Sequence, residues 1–119
     1  MTKIPAVVVG VLFLLAIPLD AGERLATRMW PTFAIAPGAL RVRATIETNP
    51  GNRAIRIVAD SPGFYRSSEI PLDGENAPRT TVVDFDSLPA GTYEVTATLI
   101  DAHDRLTAVQ RFTFVCRGQ

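Results

Sequence analysis

Residues 88–99, with the sequence LPAGTYEVTATL, constrain the fold of this chain more than any other stretch. A Pro-Ala-Gly turn is followed by side chains that alternate strictly between apolar and polar. The apolar ones are Tyr93, Val95, Ala97 and Leu99, and the polar ones are Glu94, Thr96 and Thr98. A period of two is that of a β-strand, whose successive side chains point to opposite faces. The stretch therefore predicts a strand with one face in a core and the other in water.

The same alternation recurs along most of the chain after residue 39. The predicted strands cover residues 40–46, 55–59, 64–72, 80–85, 93–100 and 105–116, with turns between them. Pro71 places the third strand at a sheet edge, because proline has no amide N–H to donate. In the last strand Phe112 and Phe114 share a face, so regular alternation would bury Gln110, and we expect a bulge near Val109. Six or seven short strands separated by turns indicate an all-β, antiparallel sandwich.

Residues 86–95, with the sequence DSLPAGTYEV, resemble the turn and strand that carry the tyrosine corner of immunoglobulin-like sandwiches. The resemblance, to bacterial immunoglobulin-like or fibronectin III-like modules, covers residues 40–119. It implies that Tyr93 is buried and that its hydroxyl bonds the backbone near Ser87 or Leu88. The expected structural residues of the core are Leu88, Tyr93, Phe112 and Phe114. A resemblance of this kind concerns the fold and does not specify a function.

An uncharged, apolar segment occupies residues 4–19, and Lys3 precedes it. One interpretation is a retained helix from Pro5 to Trp30, which would be about 39 Å long and would cross a bilayer with its N-terminus in the cytoplasm. The other is a signal peptide that is cleaved after Ala21. The expected organisation is a membrane helix or signal segment at residues 1–30, an apolar connector at 31–39 and an immunoglobulin-like sandwich at 40–119.

Two groups of aromatic and apolar residues are candidates for binding a partner protein. The first lies at the connector and the second follows a Pro-Gly turn; they are Trp30, Phe33 and Ile35, and Phe64, Tyr65 and Arg66. Aromatic residues and arginine are enriched at protein interfaces. The alternative for the first group is contact with lipid or with the open end of the sandwich. The alternative for the second is that one ring fills the core and the other covers a loop.

Composition and motifs argue against catalysis and against nucleic-acid binding. Twelve basic and twelve acidic residues cancel, so no overall field attracts a polyanion. The chain has one histidine, His103, in a turn between Asp101 and Asp104, where we expect a solvated surface side chain. The sequence has no Gly-x-Ser-x-Gly elbow and no glycine-rich phosphate loop. We therefore expect no enzyme, no cofactor and no metal.

Two further residue sets could take part in chemistry. Cys116 is the chain's one cysteine, which excludes an intramolecular disulfide, and its place on the face of Phe114 predicts a buried, inert thiol. Four aspartates lie in loops or at strand ends and could gather to bind calcium: Asp84, Asp86, Asp101 and Asp104. Their spacing is not that of an EF-hand, so we expect solvated loop carboxylates instead.

These observations lead to an expected role and not to a reaction. The expectation is a single-pass protein of the inner or cell membrane, held in the bilayer through residues 4–30, with its domain in the periplasm or outside the cell. That domain would bind other subunits of a larger membrane complex, for example a respiratory or photosynthetic one. The alternative is a cleaved, secreted or periplasmic module that binds carbohydrate or peptide.

Overall fold

The computed structural model describes residues 24–118, which fold as an all-β sandwich of two sheets. Eight strands follow one another along the chain: β1 (Leu25–Trp30), β2 (Phe33–Ile35), β3 (Gly38–Ile46), β4 (Asn52–Ser61), β5 (Phe64–Pro71), β6 (Thr80–Leu88), β7 (Gly91–Asp101) and β8 (Leu106–Arg117). One sheet has the order β1-β3-β6 and the other β2-β8-β7-β4-β5. The prediction of an all-β protein is confirmed, but the described part of the chain has eight strands where six or seven were expected.

The predicted helix does not extend through residues 25–30, because these residues form β1. This strand pairs antiparallel along β3, with Leu25 opposite Ile46 and Trp30 opposite Arg41. Its side chains alternate between the core, where Leu25 is buried, and the solvent, where Arg28 is exposed. The sandwich therefore begins at Leu25 and not at residue 40. The rest of the predicted membrane or signal segment lies outside the described residues.

The predicted connector is also part of the sandwich. Its residues Phe33–Ile35 form β2, which pairs parallel with the end of β8 and carries the chain from one sheet to the other. Ala34 packs against the core while its two neighbours point outward. Three residues are too few for a period-two pattern to stand out, so the segment resembles a linker in sequence. Within residues 24–118, no helix has the length and apolarity needed to cross a membrane.

The tyrosine expected at the corner lies at the centre of the core. Tyr93 is fully buried, and its hydroxyl donates a hydrogen bond to the carbonyl oxygen of Pro89 at 2.7 Å. Its ring meets Phe64 edge-on, with 6.3 Å between centroids, and lies 6.0 Å from the ring of Phe114. Leu88 and Phe114 are fully buried. The hydroxyl thus bonds one residue further along the turn than expected.

The last strand is more regular than its sequence suggested. The pairing of β7 with β8 keeps one register from Gly91 opposite Cys116 to Leu99 opposite Ala108, and shifts only beyond Leu99. β8 has an irregularity at Thr107, between Leu106 and Ala108, and not at Val109–Gln110 where the bulge was predicted. Gln110 stays on the inward face opposite Ala97, and its Oε1 is buried without a hydrogen-bond partner among the described residues. Phe112 is half-buried against the core.

The edge position predicted for the strand ending in Pro71 is confirmed. β5 is the last strand of the five-stranded sheet and pairs only with β4 within the described chain. The other end of that sheet is β2, which covers β8 only at residues 115–117. At these edges, backbone N–H and C=O groups without a neighbouring strand face solvent.

Candidate functional site

Several charged side chains lie close to β1 on the outer face of the three-stranded sheet. Antiparallel pairing places Arg28 of β1 opposite Arg43 of β3, and Trp30 opposite Arg41. On its other side β3 pairs with β6, where Asp84 lies opposite Arg41. Cross-strand neighbours share a face and lie about 4.5–5.5 Å apart at their Cβ atoms. The face therefore groups three arginines, one tryptophan and two carboxylates, since Asp86 also points outward from β6.

One of the three arginines is neutralised within the domain. The Arg41 guanidinium donates from Nε to Oδ1 of Asp84 at 2.7 Å and from Nη2 to Oδ2 at 3.1 Å. This two-point geometry matches a planar guanidinium to a carboxylate. The hydrogen bond to Arg41 holds the pKa of Asp84 below its ordinary value, and the same bond raises the pKa of Arg41. The pair contributes no free charge to a ligand.

The other two arginines face each other without an acidic partner in the described part of the chain. Like charges directly opposite each other in a sheet are destabilising. The guanidinium of Arg43 lies 5.7 Å from the ring centroid of Trp30, a cation–π contact that partly offsets this cost. Arg28, Arg43 and Trp30 line a shallow depression together with Met29. A carboxylate or another small anion in this depression would relieve the repulsion.

The apolar residues of the predicted connector are exposed, as a partner-binding surface requires. Trp30 is 38% exposed, Phe33 49% and Ile35 52%. Trp30 lies at the far end of β1 from Leu25, and five residue steps in a strand span about 17 Å. The described chain enters the sandwich at Arg24, so these residues lie at the opposite end of the domain from the entry point.

The second predicted group is mostly engaged inside the domain. Arg66 donates from Nη1 to the carbonyl oxygen of Asp86, and its guanidinium lies 5.2 Å from the ring centroid of Phe64. Phe64 itself packs on Tyr93. Only Tyr65, 61% exposed, presents a large free surface. Arg66 therefore bridges the two sheets at their β5 and β6 edges.

The structure does not bring the two predicted groups together. The first lies at the edge formed by β1 and β2, and the second lies on β5. In the five-stranded sheet β2 and β5 are separated by β8, β7 and β4. Four strand spacings amount to about 19 Å. A single small partner surface would contact one group or the other, and the connector group is the more exposed.

The acidic and histidine candidates have structural explanations. Asp101 Oδ1 accepts the amide N–H of His103 at 2.8 Å and that of Arg105 at 2.9 Å. These bonds hold the pKa of Asp101 below its ordinary value. Residues 24–118 contain no group of three or more His, Cys, Asp or Glu side chains placed to hold a metal ion. Cys116 is buried and its Sγ donates to the carbonyl oxygen of Leu88 at 3.5 Å.

The candidate residues that the sequence pattern does not single out are Arg28 and Arg43. The sequence predicts a solvent-facing position for Arg43 and a helix for Arg28. The signal that could have found them is the alternation of Leu25, Thr27 and Met29, which is compatible with a strand.

Comparisons with known proteins support the fold alone. No protein-family profile matches the chain, and no curated protein sequence matches it. The chain is similar in structure to a superoxide reductase (neelaredoxin) from Ignicoccus hospitalis, with a TM-score of 0.61 and 13% identity over 79% of this chain and 80% of that one. A variant of the same protein gives a TM-score of 0.63 and 14% identity over 86% of each chain.

A third solved structure covers the chain as part of a larger protein. It is a family 76 glycoside hydrolase from a bovine Bacteroides thetaiotaomicron strain, with a TM-score of 0.50 and 18% identity over 80% of this chain and 20% of that one. At such identities the likeness extends to the β-sandwich and supports no enzymatic function for this chain.

Proposed function

We propose that this chain is a non-enzymatic accessory subunit that is anchored in the inner or cell membrane by its N-terminal segment and binds other subunits of a larger membrane complex through its extracytoplasmic domain. A respiratory or photosynthetic assembly is an example of such a complex. Because β1 begins at Leu25, the anchor is confined to the residues before it. Residues 4–23 as a helix would span about 30 Å, which matches a hydrocarbon core.

The domain that we propose for this role is immunoglobulin-like. The order β1-β3-β6 corresponds to strands A, B and E of that fold, and the neighbours β4, β7 and β8 correspond to C, F and G. The hydroxyl of Tyr93 bonds the backbone four residues upstream, as the tyrosine corner does. Domains of this type serve widely as protein-binding modules, an association that supports the proposal without identifying a partner.

The observation that carries the proposal is the exposed apolar surface at the end of the domain away from the chain entry. Trp30, Phe33 and Ile35 keep large parts of their side chains in water, whereas most of the other large apolar residues of the described domain are buried. Exposed apolar groups that lie together mark interaction sites more often than isolated ones do. A surface remote from the anchor point favours contact with a protein over contact with the bilayer.

The test combines membrane extraction with co-purification. The parent protein should stay in the membrane pellet through an alkaline carbonate wash and should co-purify with partner subunits after mild detergent. The variants Trp30→Ala and Phe33→Ala should lose the partners, because truncating a central interface aromatic typically costs 2 kcal/mol or more.

The matched control is Leu106→Ala, since Leu106 is equally apolar, 61% exposed and at the opposite end of the sandwich. This variant should keep the partners. Release of the intact chain by carbonate would contradict the anchor, and retention of partners by Trp30→Ala and Phe33→Ala together would contradict the interface.

The second candidate function is a periplasmic or secreted module that binds carbohydrate or peptide. One observation favours it: cleavage after Ala21 would leave every residue of β1 in the mature chain. The intact mass of the purified protein distinguishes the two, because the cleaved form would lack the apolar segment.

A further inference from the structure

We infer that the free edge of β1 binds an extended acidic segment of a partner protein, which adds a fourth strand to the three-stranded sheet and places a carboxylate beside Arg28. The inference rests on the proposed function, since it names the chemistry of the partner. The inference concerns the backbone edge of β1 and the side chain of Arg28, whereas the proposed interface includes the exposed side chains of Phe33 and Ile35.

The first observation is the unpaired edge itself. β1 pairs with β3 on one side, and no strand within residues 24–118 pairs with its other side. Alternate backbone N–H and C=O groups of an edge strand point outward and can template another strand. Several peptide-binding domains use such an edge, where main-chain hydrogen bonds give affinity and side chains give specificity.

The second observation is uncompensated charge beside that edge. Arg28 points outward from β1 and faces Arg43 across the β1–β3 pair, with no acidic neighbour among the described residues. Both outward carboxylates of β6 act on Arg41, because Asp84 is bound to it and the charge of Asp86 also raises its pKa. A strand added to β1 would place its outward side chain next to Arg28 as a cross-strand neighbour. A glutamate or aspartate there would pair with the guanidinium and would also reduce its repulsion with Arg43.

The neighbours of Arg28 on the same face fit an incoming peptide. Ala26, two residues before it, has a short side chain, and Trp30, two residues after it, has an exposed ring. The next outward residues of an antiparallel partner strand would lie beside a small side chain on one side and an aromatic surface on the other. The residues between them would turn inward, on the side of Leu25 and Met29, so a partner that alternates acidic outward residues with apolar inward residues matches the two faces of this edge.

A second copy of this chain is a poor occupant of the same edge. Antiparallel pairing of β1 with another β1 would bring Arg28 of both copies to one face, together with Arg43 of both. Four guanidinium groups would then lie close together without a carboxylate among the described residues of the strands involved. The charge at this edge therefore selects an acidic partner and disfavours self-association.

The experiment uses the full chain in mild detergent and a blocked nine-residue peptide in which glutamate alternates with valine. Trp30 is the chain's one tryptophan, so its fluorescence reports on this site alone. The expected result is a saturable change of Trp30 emission that weakens as salt rises, because the pair is exposed. Arg28→Gln should weaken binding about tenfold or more, the effect of losing a charge-assisted hydrogen bond.

Matched controls separate the edge from general electrostatics. Arg111→Gln removes an exposed arginine from β8 of the other sheet and should leave binding unchanged. A peptide with glutamine for glutamate should bind more weakly than its parent. A glutamate peptide that is N-methylated at alternate residues keeps its charge but cannot complete the backbone ladder, and it should lose most of its affinity.

Any one of three peptide-binding results would overturn the inference. One is equal binding by the parent and by Arg28→Gln. Another is full binding of the N-methylated peptide. The third is a response of Trp30 to anionic vesicles or to a single-stranded oligonucleotide without a response to the acidic peptide. The proposed function is judged apart from these: if Arg28→Gln keeps its partner subunits while Trp30→Ala releases them, the inference fails and the proposed function stands.

Discussion

Replacing Tyr93 by phenylalanine should test the architecture of the core with the smallest change available. The substitution removes only the hydroxyl that donates to Pro89, 2.7 Å away, and leaves the ring in place between Phe64 and Phe114. The carbonyl of Pro89 can turn to water because Pro89 is exposed. The free energy of unfolding should therefore fall by about 1 kcal/mol, the net value of one hydrogen bond.

Tyr93→Ala removes the ring as well and should be far more damaging. Truncating a buried aromatic residue costs about 3–5 kcal/mol, and the two ring contacts are among the interactions lost. Because a domain of this size has a total stability of about 5–15 kcal/mol, this variant should unfold at low denaturant concentration. Urea unfolding followed by circular dichroism measures both changes.

The chain supplies its own control, since its other tyrosine, Tyr65, is 61% exposed and lies outside the core. Tyr65→Phe should leave the midpoint of unfolding unchanged. Equal effects of Tyr65→Phe and Tyr93→Phe would refute the buried, hydrogen-bonded corner.

The same tyrosine predicts a dependence on alkaline pH. Burial raises the pKa of Tyr93 above its ordinary value of 10.0. The folded state then holds this proton more tightly than the unfolded state, so stability should decrease as pH rises above about 10. Tyr93→Phe should be less sensitive over that range, and an absorbance titration of the parent should show a phenol whose pKa lies above the ordinary value and which is absent from Tyr93→Phe.

Two further changes have expected outcomes that urea unfolding can measure. Gln110→Leu should raise the free energy of unfolding by about 1 kcal/mol. The reason is that the buried Oε1 has no partner among the described residues and that the position faces the small Ala97. An unchanged or lower free energy of unfolding would contradict this burial. Gly38→Ala should destabilise the domain, since a Cβ there would lie 2.8 Å from Sγ of Cys116. The control is Gly63→Ala, which should not destabilise it by crowding, because no atom lies within 4 Å of a Cβ at that position.

Most of the strands after residue 39 could be predicted from their alternation, and the strand at residues 80–85 from its β-branched residues. β3, with Leu40, Val42 and Ala44 on its buried face, shows the pattern clearly. Pro71 predicted an edge strand, because a proline has no amide N–H and seldom lies in the interior of a sheet. The bulge near Val109 was wrong because the prediction assumed that Gln110 would avoid the interior. The pairing with β7 is uninterrupted from Ala108 to Cys116, so Gln110 shares the inward face of Phe112 and Phe114 and is half-buried.

β1 and β2 were missed for two different physical reasons. β1 directly follows a long apolar segment, and residues such as Leu25, Ala26 and Met29 are compatible with a continuing helix. What makes it a strand is its pairing with β3, a tertiary contact that local propensity does not contain. β2 is three residues long, and its docking on the end of β8 is visible only once the sandwich is closed.

The candidate site depends on register, which is the property least visible in a sequence. The inward positions of Leu25, Thr27 and Met29 orient Arg28 toward solvent, but they do not determine which residue it faces. That follows from Leu25 lying opposite Ile46, where two buried side chains share the core. A slip of one residue would turn Arg28 into the core, and a slip of two would place Thr45 or Arg41 opposite it. The facing arginines are therefore a consequence of core packing, and the acidic partner proposed for this edge is a consequence of the same register.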